Sequence, residues 1–142
     1  MRILVDTNVY LDLFLDRNTI SKEFFTICKR ERKQLFVTSM SLRDIGYISH
    51  QYFHSETESK KILLKTYQLC SKVIGISADA AISSIYSDVK DYEDSLIIEA
   101  AKESFIDLII TNNIKDFAKS GIPVLSPKDF VNIFKEVNSN LA

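Results

Sequence analysis

Glycine and proline are scarce in this chain, which has only three glycines and two prolines among 142 residues. Flexible linkers and low-complexity tracts depend on such residues, so their scarcity argues against segments of either kind. The chain also has no internal repeat and no glycine-rich phosphate-binding loop. With 46% apolar residues, it is long enough to bury one core and too short for two ordinary domains. We therefore expect a single domain covering residues 1–142.

Cysteines are equally few, and long apolar runs are missing. Cys28 and Cys70 lie far apart within apolar helical patterns, with neither a C-x-x-C pair nor a framework of four or more cysteines. We interpret both as reduced thiols. The N-terminus has no signal-peptide pattern, and no apolar run approaches the ~18 residues of a membrane span. These features predict a cytoplasmic protein without a membrane segment.

A strong charge of either sign is also missing, because eighteen basic and nineteen acidic residues give a net charge of −1. This balance excludes the positive field of a non-specific nucleic-acid coat protein. It does not exclude a nuclease, in which clustered acids offset basic residues elsewhere. The densest charge run, residues 29–33, is typical of a solvated helix end, with a phosphate-contacting patch as the alternative.

Short apolar runs and helical patterns alternate along the chain. Runs with the length of buried strands are residues 3–5, 35–38, 73–76, 108–111 and 122–125. Candidate N-caps of the helices between them are Ser21, Ser39 or Ser41, Ser77 and Ser126. Continuous apolar strands that alternate with helices indicate a parallel sheet covered on both faces. The expected fold is a single three-layer α/β/α domain with a short parallel sheet of four to five strands.

Asp6 is the most informative residue of the sequence. It follows the first apolar run directly, and Thr7-Asn8 end that run. The carboxylate should therefore lie at the carboxyl end of the first strand, the edge at which open α/β sheets bind ligands. Thr7 or Asn8 could support acids at this edge through hydrogen bonds.

Three further aspartates fall where such a sheet would bring them towards Asp6, namely Asp44, Asp94 and Asp116. Asp94 lies in the first turn of a helix, on the side that should face the sheet. A carboxylate on a packed face needs a partner or a cation, unless the helix macrodipole alone favours it there. Asp91 would repel Asp94 unless a cation lies nearby. Asp44 can also be interpreted as an ordinary surface acid.

A site of aspartates without histidine or cysteine suits hard ions such as Mg²⁺ or Mn²⁺. Such ions can neutralise phosphoryl charge, activate water and stabilise a leaving oxygen, which is what phosphodiester hydrolysis needs. We expect Asp6 and Asp94 to bind metal directly. Asp44 and Asp116 would bind a second metal or orient water held by the metal.

The motifs around these acids resemble those of the PIN-domain family. The matching segments are residues 4–9, 91–96, 111–117 and 121–127. The resemblance covers essentially the whole chain, and the order and spacing of several motifs make it specific. Many members are toxins of the VapC type: Mg²⁺- or Mn²⁺-dependent ribonucleases that pair with an antitoxin and are usually dimeric. The resemblance therefore implies a metal-dependent endoribonuclease that acts on RNA, with an antitoxin as partner.

The resemblance also assigns site residues. The acidic positions of the family fall at Asp6, Asp94 and Asp116, which it implies are metal ligands. The second family position, commonly glutamate, falls at Asp44, where the side chain is one methylene shorter. Asn112 lies close to the fourth position and could take part.

Other interpretations compete with this one. His50 and His54 have the spacing of a zinc protease, but Gln51 replaces the general-base glutamate. A haloacid-dehalogenase-type phosphatase needs a second aspartate at position 8, which is Asn8 here. A receiver domain needs an aspartate at the end of the third strand, which instead ends in residues 76–77, Ile-Ser. The main alternative is a PIN-like module that binds RNA or a partner protein without cutting.

Aromatic and apolar side chains on two helices predict a homodimer. The helices at residues 40–53 and 57–71 carry them over more than one face, which is more than one side of a sheet can cover. The residues are Tyr47, Tyr52, Phe53, Leu63, Leu64 and Tyr67. Exposed aromatic patches are enriched at protein interfaces.

Overall fold

The computed structural model describes residues 1–141, in which each of five strands is followed by one or two of eight helices. In chain order the elements are β1 Arg2–Val5, α1 Thr7–Phe14, α2 Thr19–Arg30, β2 Gln34–Thr38, α3 Ser39–Phe53, α4 Glu56–Leu69, β3 Lys72–Ile74, α5 Ala78–Ile85, α6 Tyr92–Glu103, β4 Leu108–Ile110, α7 Ile114–Phe117, β5 Val124–Leu125 and α8 Pro127–Leu141. The strands form one parallel sheet in the order β3-β2-β1-β4-β5. The prediction of an α/β domain with a parallel sheet is confirmed.

Both faces of the sheet are buried. Side chains alternate along a strand, so β1 contributes to two cores. Ile3 and Val5 pack with residues of α1, α2, α3, α4 and α8. Leu4 packs on the opposite face with residues of α6 and α7, and α5 packs against α6. These two layers explain why the strands are apolar throughout rather than alternating with polar residues.

The position of β1 creates the crevice that matters for function. β1 pairs with β2 on one side and with β4 on the other. From β1 the chain proceeds outwards to β2 and β3, then crosses back to β4 and β5. The direction of winding therefore reverses beside β1. In open α/β sheets, ligands bind outside the carboxyl ends of the strands at such a reversal.

Two of the predicted helix caps are wrong. The side chain of Asn18 caps α2 by accepting a hydrogen bond from the N–H of Ser21, at 3.0 Å. Thr38 caps α3 by accepting from the N–H of Ser41, at 3.0 Å, so neither Ser39 nor Ser41 is the cap. In both cases another residue with a capping side chain precedes the predicted serine, and the helix begins earlier.

The other two caps are confirmed. Ser77 Oγ accepts from the N–H of Ala80 at 2.9 Å, and Ser126 Oγ accepts from the N–H of Asp129 at 3.0 Å.

Both cysteines are free thiols, as expected, and burial raises the pKa of Cys28 to about 12. Within residues 1–141, no helix combines the length and hydropathy needed to cross a membrane.

Candidate active site

Asp6 is held firmly at the carboxyl end of β1. Its backbone N–H continues the sheet by donating to the carbonyl of Ile110, at 2.9 Å. Its side chain caps α1, where Oδ1 accepts from the N–H of Thr7 at 2.8 Å. Oδ2 accepts from the hydroxyl of Thr111 at 2.8 Å. The chain thus fixes both carboxylate oxygens from two different elements.

Opposing influences act on the pKa of Asp6. Burial raises it most, the hydrogen bonds from Thr111 and Thr7 lower it, and the charges of Asp116 and Asp44 raise it again. The net direction is upwards from the ordinary value of 3.8. Because Asp116 and Asp44 both act on Asp6, the three predicted acids lie close enough to interact electrostatically.

Asp94 lies in the first turn of α6, as the sequence indicated. Its pKa is raised to about 6, first by burial and then by the charges of Asp91, Asp116, Asp6 and Glu93. Within residues 1–141, Asp94 makes one hydrogen bond besides those of the helix: its backbone N–H donates to Oδ1 of Asp91, at 3.0 Å. The carboxylate therefore lies in a negative environment without a cationic partner there.

Asp116 and Asp44 complete the predicted set from more exposed positions. Asp116 lies on α7 and its side chain is exposed. Asp44 lies on α3 and is half-buried, and its Oδ1 lies 3.1 Å from Nη1 of Arg43. Asp44 therefore already has a cationic partner, unlike Asp94.

Two clefts meet at Asp94. The inner cleft, about 380 Å³, is lined by Asp6, Asp44, Asp94, Arg43, Glu93 and Asn113, with Thr7, Asn8, Tyr47 and Ile48. The outer cleft, about 270 Å³, is lined by Asp94 and Asp116 together with Asp88, Val89, Lys90, Asp91, Lys115, Ala118 and Lys119. The crevice therefore brings all four predicted acids to one edge of the sheet, with Asp94 between the two clefts.

Thr111 is a supporting residue that was not predicted from the sequence. Besides donating to Asp6, its hydroxyl oxygen accepts from the N–H of Asn113 at 3.0 Å. Thr111 directly follows β4 as Asp6 directly follows β1, so both side chains reach the same edge. A signal was available: polar residues directly after two neighbouring parallel strands come together.

Asp12 is a second residue that sequence reasoning missed. It is buried in α1, with 7% of its surface exposed, among mainly apolar neighbours. Its Oδ2 accepts from the side-chain amides of Asn112 at 2.8 Å and Asn18 at 3.1 Å, and Oδ1 lies 3.6 Å from Arg17 Nη1. An acid inside an apolar helix pattern was the available signal, because such a group needs partners.

The predicted supporting residues make different contacts in the structure. Thr7 supports Asp6 through its backbone N–H, and Asn8 lines the inner cleft. Asp91 caps α6 through the N–H of Asp94. The side-chain amide of Asn112 donates to Oδ2 of Asp12 and so anchors the loop after β4.

The alternative zinc site finds no support. His50 lies at the end of α3, whereas His54 follows the helix with a positive φ of 52°, so the two do not share one helical face. Both imidazoles are exposed.

The acids provide the ligand type that a hard ion prefers, but they do not form a complete coordination shell. Within residues 1–141, no three Asp, Glu, His or Cys side chains form a group that could hold a metal ion as they stand. Mg²⁺ usually needs only one or two protein carboxylates, because it keeps several of its waters. The side chains of Asp6 and Asp94 offer only oxygen ligands, and their pKa values are raised first by burial and then by neighbouring acids, which fits an ion of this kind.

Fold and site together define a doubly wound parallel α/β domain with acids in its crevice. A model of the PIN domain matches residues 2–115, so the chain belongs to the PIN-domain family, as the motifs indicated. No curated protein matches the sequence.

Solved structures with the same fold include toxin–antitoxin assemblies. A toxin–antitoxin complex from Klebsiella pneumoniae is 24% identical with a TM-score of 0.64, over 88% of this chain and 97% of that chain. VapBC2 from Rickettsia felis, bound to a promoter DNA fragment, is 14% identical with a TM-score of 0.70, over 89% and 98%. DNA-bound VapBC from Salmonella typhimurium is 17% identical with a TM-score of 0.68, over 89% and 98%. At these identities the likeness concerns the fold.

Proposed function

We propose that this protein is an endoribonuclease that hydrolyses RNA phosphodiester bonds with Mg²⁺ or Mn²⁺, and that it is the toxin of a toxin–antitoxin pair. The observation that carries the proposal is the position of Asp94, which lines both clefts and whose pKa is raised to about 6, first by burial and then by the charges of Asp91, Asp116 and Asp6. Such mutual repulsion is relieved by a divalent cation. The antitoxin part rests on the toxin–antitoxin complexes among the similar structures.

The residues would share the work as follows. Asp6 and Asp94 would hold the ion, because they lie deepest in the crevice; Asp116 would contribute a further oxygen or orient the attacking water. When bound, Mg²⁺ or Mn²⁺ supplies charge neutralisation on the phosphoryl oxygens and lowers the pKa of water. Thr7 and Thr111 keep both oxygens of Asp6 in place. Asp44 would act at longer range, because Arg43 already engages it.

The test is cleavage of end-labelled RNA by purified protein with Mg²⁺, with Mn²⁺ and with chelator. We expect cleavage only with metal. Asp6→Asn or Asp94→Asn should lower turnover by more than about a hundredfold, since the loss of a ligand exceeds that of a residue supporting one. Asp129→Asn is a matched control, because Asp129 is an exposed aspartate in the first turn of α8. Full metal-dependent cleavage by Asp6→Asn would show that the proposed site is wrong.

A second candidate is a PIN-like module that binds RNA or a partner protein but is catalytically weak or inactive. It is favoured by the absence, within the described residues, of three acids grouped closely enough to hold an ion. The same assay decides, because this candidate predicts no metal-dependent cleavage by the wild-type protein. RNA binding that is insensitive to Asp6→Asn would then support it.

We also propose a homodimer, as the sequence suggested. Tyr47, Tyr52, Leu64 and Tyr67 are each more than half exposed on α3 and α4. Phe53 and Leu63, in contrast, pack against the core, so they add little to this patch. Light scattering should give a dimeric mass, and the double variant Leu64→Ser, Tyr67→Ser should give a monomeric one. A monomeric wild-type protein at micromolar concentration would reject the dimer.

A further inference from the structure

Three lysines surround the outer cleft beside Asp94 and Asp116: Lys90, Lys115 and Lys119. Lys90 comes from the segment between α5 and α6, whereas Lys115 lies on α7 and Lys119 is the second residue after that helix. Two separate segments therefore bring positive charge to the same side of the acids.

These lysines are not used to balance the neighbouring aspartates. All three are exposed, and the ion pairs formed within residues 1–141 involve other lysines, namely Lys61, Lys102 and Lys135. The inner cleft differs, because its cation, Arg43, is paired with Asp44. The outer cleft thus offers ammonium groups that are available to a ligand.

We infer that Lys90, Lys115 and Lys119 form a subsite for the RNA phosphates that neighbour the one being cleaved. The inference rests on the proposed function, and it gives the direction in which the strand leaves the acids. Exposed lysines bind phosphates as point charges and independently of base sequence. The strand would run from the acids at Asp94 over the outer cleft, towards α7 and away from Arg43.

The acids in the same cleft favour a ligand with several linked phosphates over a single free phosphate. Asp88, Asp91, Asp94 and Asp116 also line it, so a single free phosphate would meet repulsion as well as attraction. An RNA strand differs from free phosphate, because one of its phosphates would be neutralised at the ion while the neighbouring phosphates reach the lysines. The subsite should therefore bind RNA and discriminate against inorganic phosphate.

The chain contains a matched control for this inference. Lys29, Lys33 and Lys65 line a separate cleft with Leu35, near the amino end of β2. Because the strands are parallel, that cleft lies at the edge of the sheet opposite to the acids. Replacing either set of three lysines by alanine removes three positive charges, so the two variants differ only in where on the protein the charge is lost.

The experiment measures the binding of a fluorescent single-stranded RNA in a fixed concentration of Mg²⁺, before measurable cleavage, over a range of salt concentrations. The Lys90, Lys115 and Lys119 triple alanine variant should bind roughly tenfold or more weakly at low salt. The slope of log affinity against log salt should shrink by about 2, since each single-strand phosphate contact contributes ~0.7. The control triplet should leave the slope unchanged, and arginine at the three positions should restore binding. Melting curves verify that each variant is folded.

The outcomes separate this inference from the proposed function. Wild-type cleavage combined with equal losses for both triplets, or with no loss for either, would overturn the subsite and leave the ribonuclease intact. A loss that depends on the RNA sequence would also overturn it, because phosphate contacts weaken binding uniformly. A wild-type protein that neither binds nor cleaves RNA would overturn both.

Discussion

Asp6 and Asp94 lie at the same edge of the sheet, but the protein holds them in different ways. Both oxygens of Asp6 accept hydrogen bonds, one from Thr7 and one from Thr111. The carboxylate of Asp94 lies among other negative charges, and the hydrogen bond to Asp91 involves only its backbone. One half of the crevice is thus organised by the fold. The other half is left for a ligand to organise.

This difference indicates how the two halves contribute to function. A site needs at least one ligand in a fixed position, because a misplaced group loses much of its effect. Asp6 meets this need, and Asp12 extends it by anchoring Asn112, next to Thr111, in the loop after β4. On the Asp94 side, unrelieved repulsion favours the binding of a cation. Mutations should therefore affect the two halves in opposite ways.

The largest effect on stability should come from Asp12→Ala, which removes the anchor of the fixed half. The amides of Asn18 and Asn112 would lose their acceptor, and Arg17 would lose its ionic partner. We expect the free energy of unfolding to fall by about 3 kcal/mol. Urea unfolding measures this change, with Asp129→Ala as an exposed control expected to stay within about 0.5 kcal/mol. A neutral Asp12→Ala would show that the loop does not depend on this network.

Thr111→Val should reduce metal-dependent cleavage by about 10–100-fold, the usual effect of losing a group that supports a ligand. The hydrogen bond from Thr111 lowers the pKa of Asp6, so its loss makes the ionised form less favourable. Thr111→Ser keeps the hydroxyl and should retain most of the activity. Equal activity of the valine and serine variants would contradict the proposed role of the hydroxyl.

The pH dependence of stability should reveal the raised pKa of Asp94, on the side of the crevice that the fold leaves unpaired. The pKa of Asp94 is about 6 in the folded protein, against an ordinary value of 3.8. The folded state therefore binds this proton more tightly, and the group stabilises the fold fully below pH 3.8. Its contribution is lost as the pH rises from 3.8 through about 6.

Melting temperatures of metal-free protein between pH 4 and pH 7 test this prediction, with Asp94→Asn as the comparison. The wild-type protein should lose more stability over this range than the variant, and saturating Mg²⁺ should restore it at pH 7. Parallel melting profiles of the two metal-free proteins would show that the pKa of Asp94 is not raised in the folded protein.

The smallest effect should come from Asp44→Asn. Asp44 is partly exposed and paired with Arg43, and exposed ion pairs contribute only about 0.2–1 kcal/mol. We expect cleavage to fall by less than about tenfold, which is below the usual 10–100-fold cost of losing a residue that supports a ligand, because Asp44 acts at longer range. A loss as large as that of Asp6→Asn would instead identify Asp44 as a metal ligand.

The sequence predicted the fold well because its strong signals are local. The five apolar runs appear as the five strands, and Asp6 and Asp94 lie where the pattern placed them, after β1 and in the first turn of α6. Helix starts were less certain, because several capping residues lie side by side before α2 and α3. The helix begins at whichever of them the preceding loop or strand puts in extended conformation, as with Asn18 and Thr38.

The support of the site could not be predicted from local pattern. Asn112 follows Thr111 directly, and nothing in the sequence decides which of the two is directed to Asp6. The choice depends on the pleat of β4 and on Asp12, which is 100 residues away from Asn112. Only the assembled sheet brings these groups together.

The hydrogen bond between Thr111 and Asp6 joins residues 105 positions apart. Contacts of such long sequence separation form late, because a large loop has to close before they add any stability. During synthesis, Asp6 leaves the ribosome long before β4, Thr111 and Asp116 exist. The nascent chain therefore cannot assemble the crevice until the residues up to Asp116 have emerged. On the proposed function, a translation product interrupted before β4 would be harmless to RNA, and toxicity would begin only after Asp116 has been synthesised.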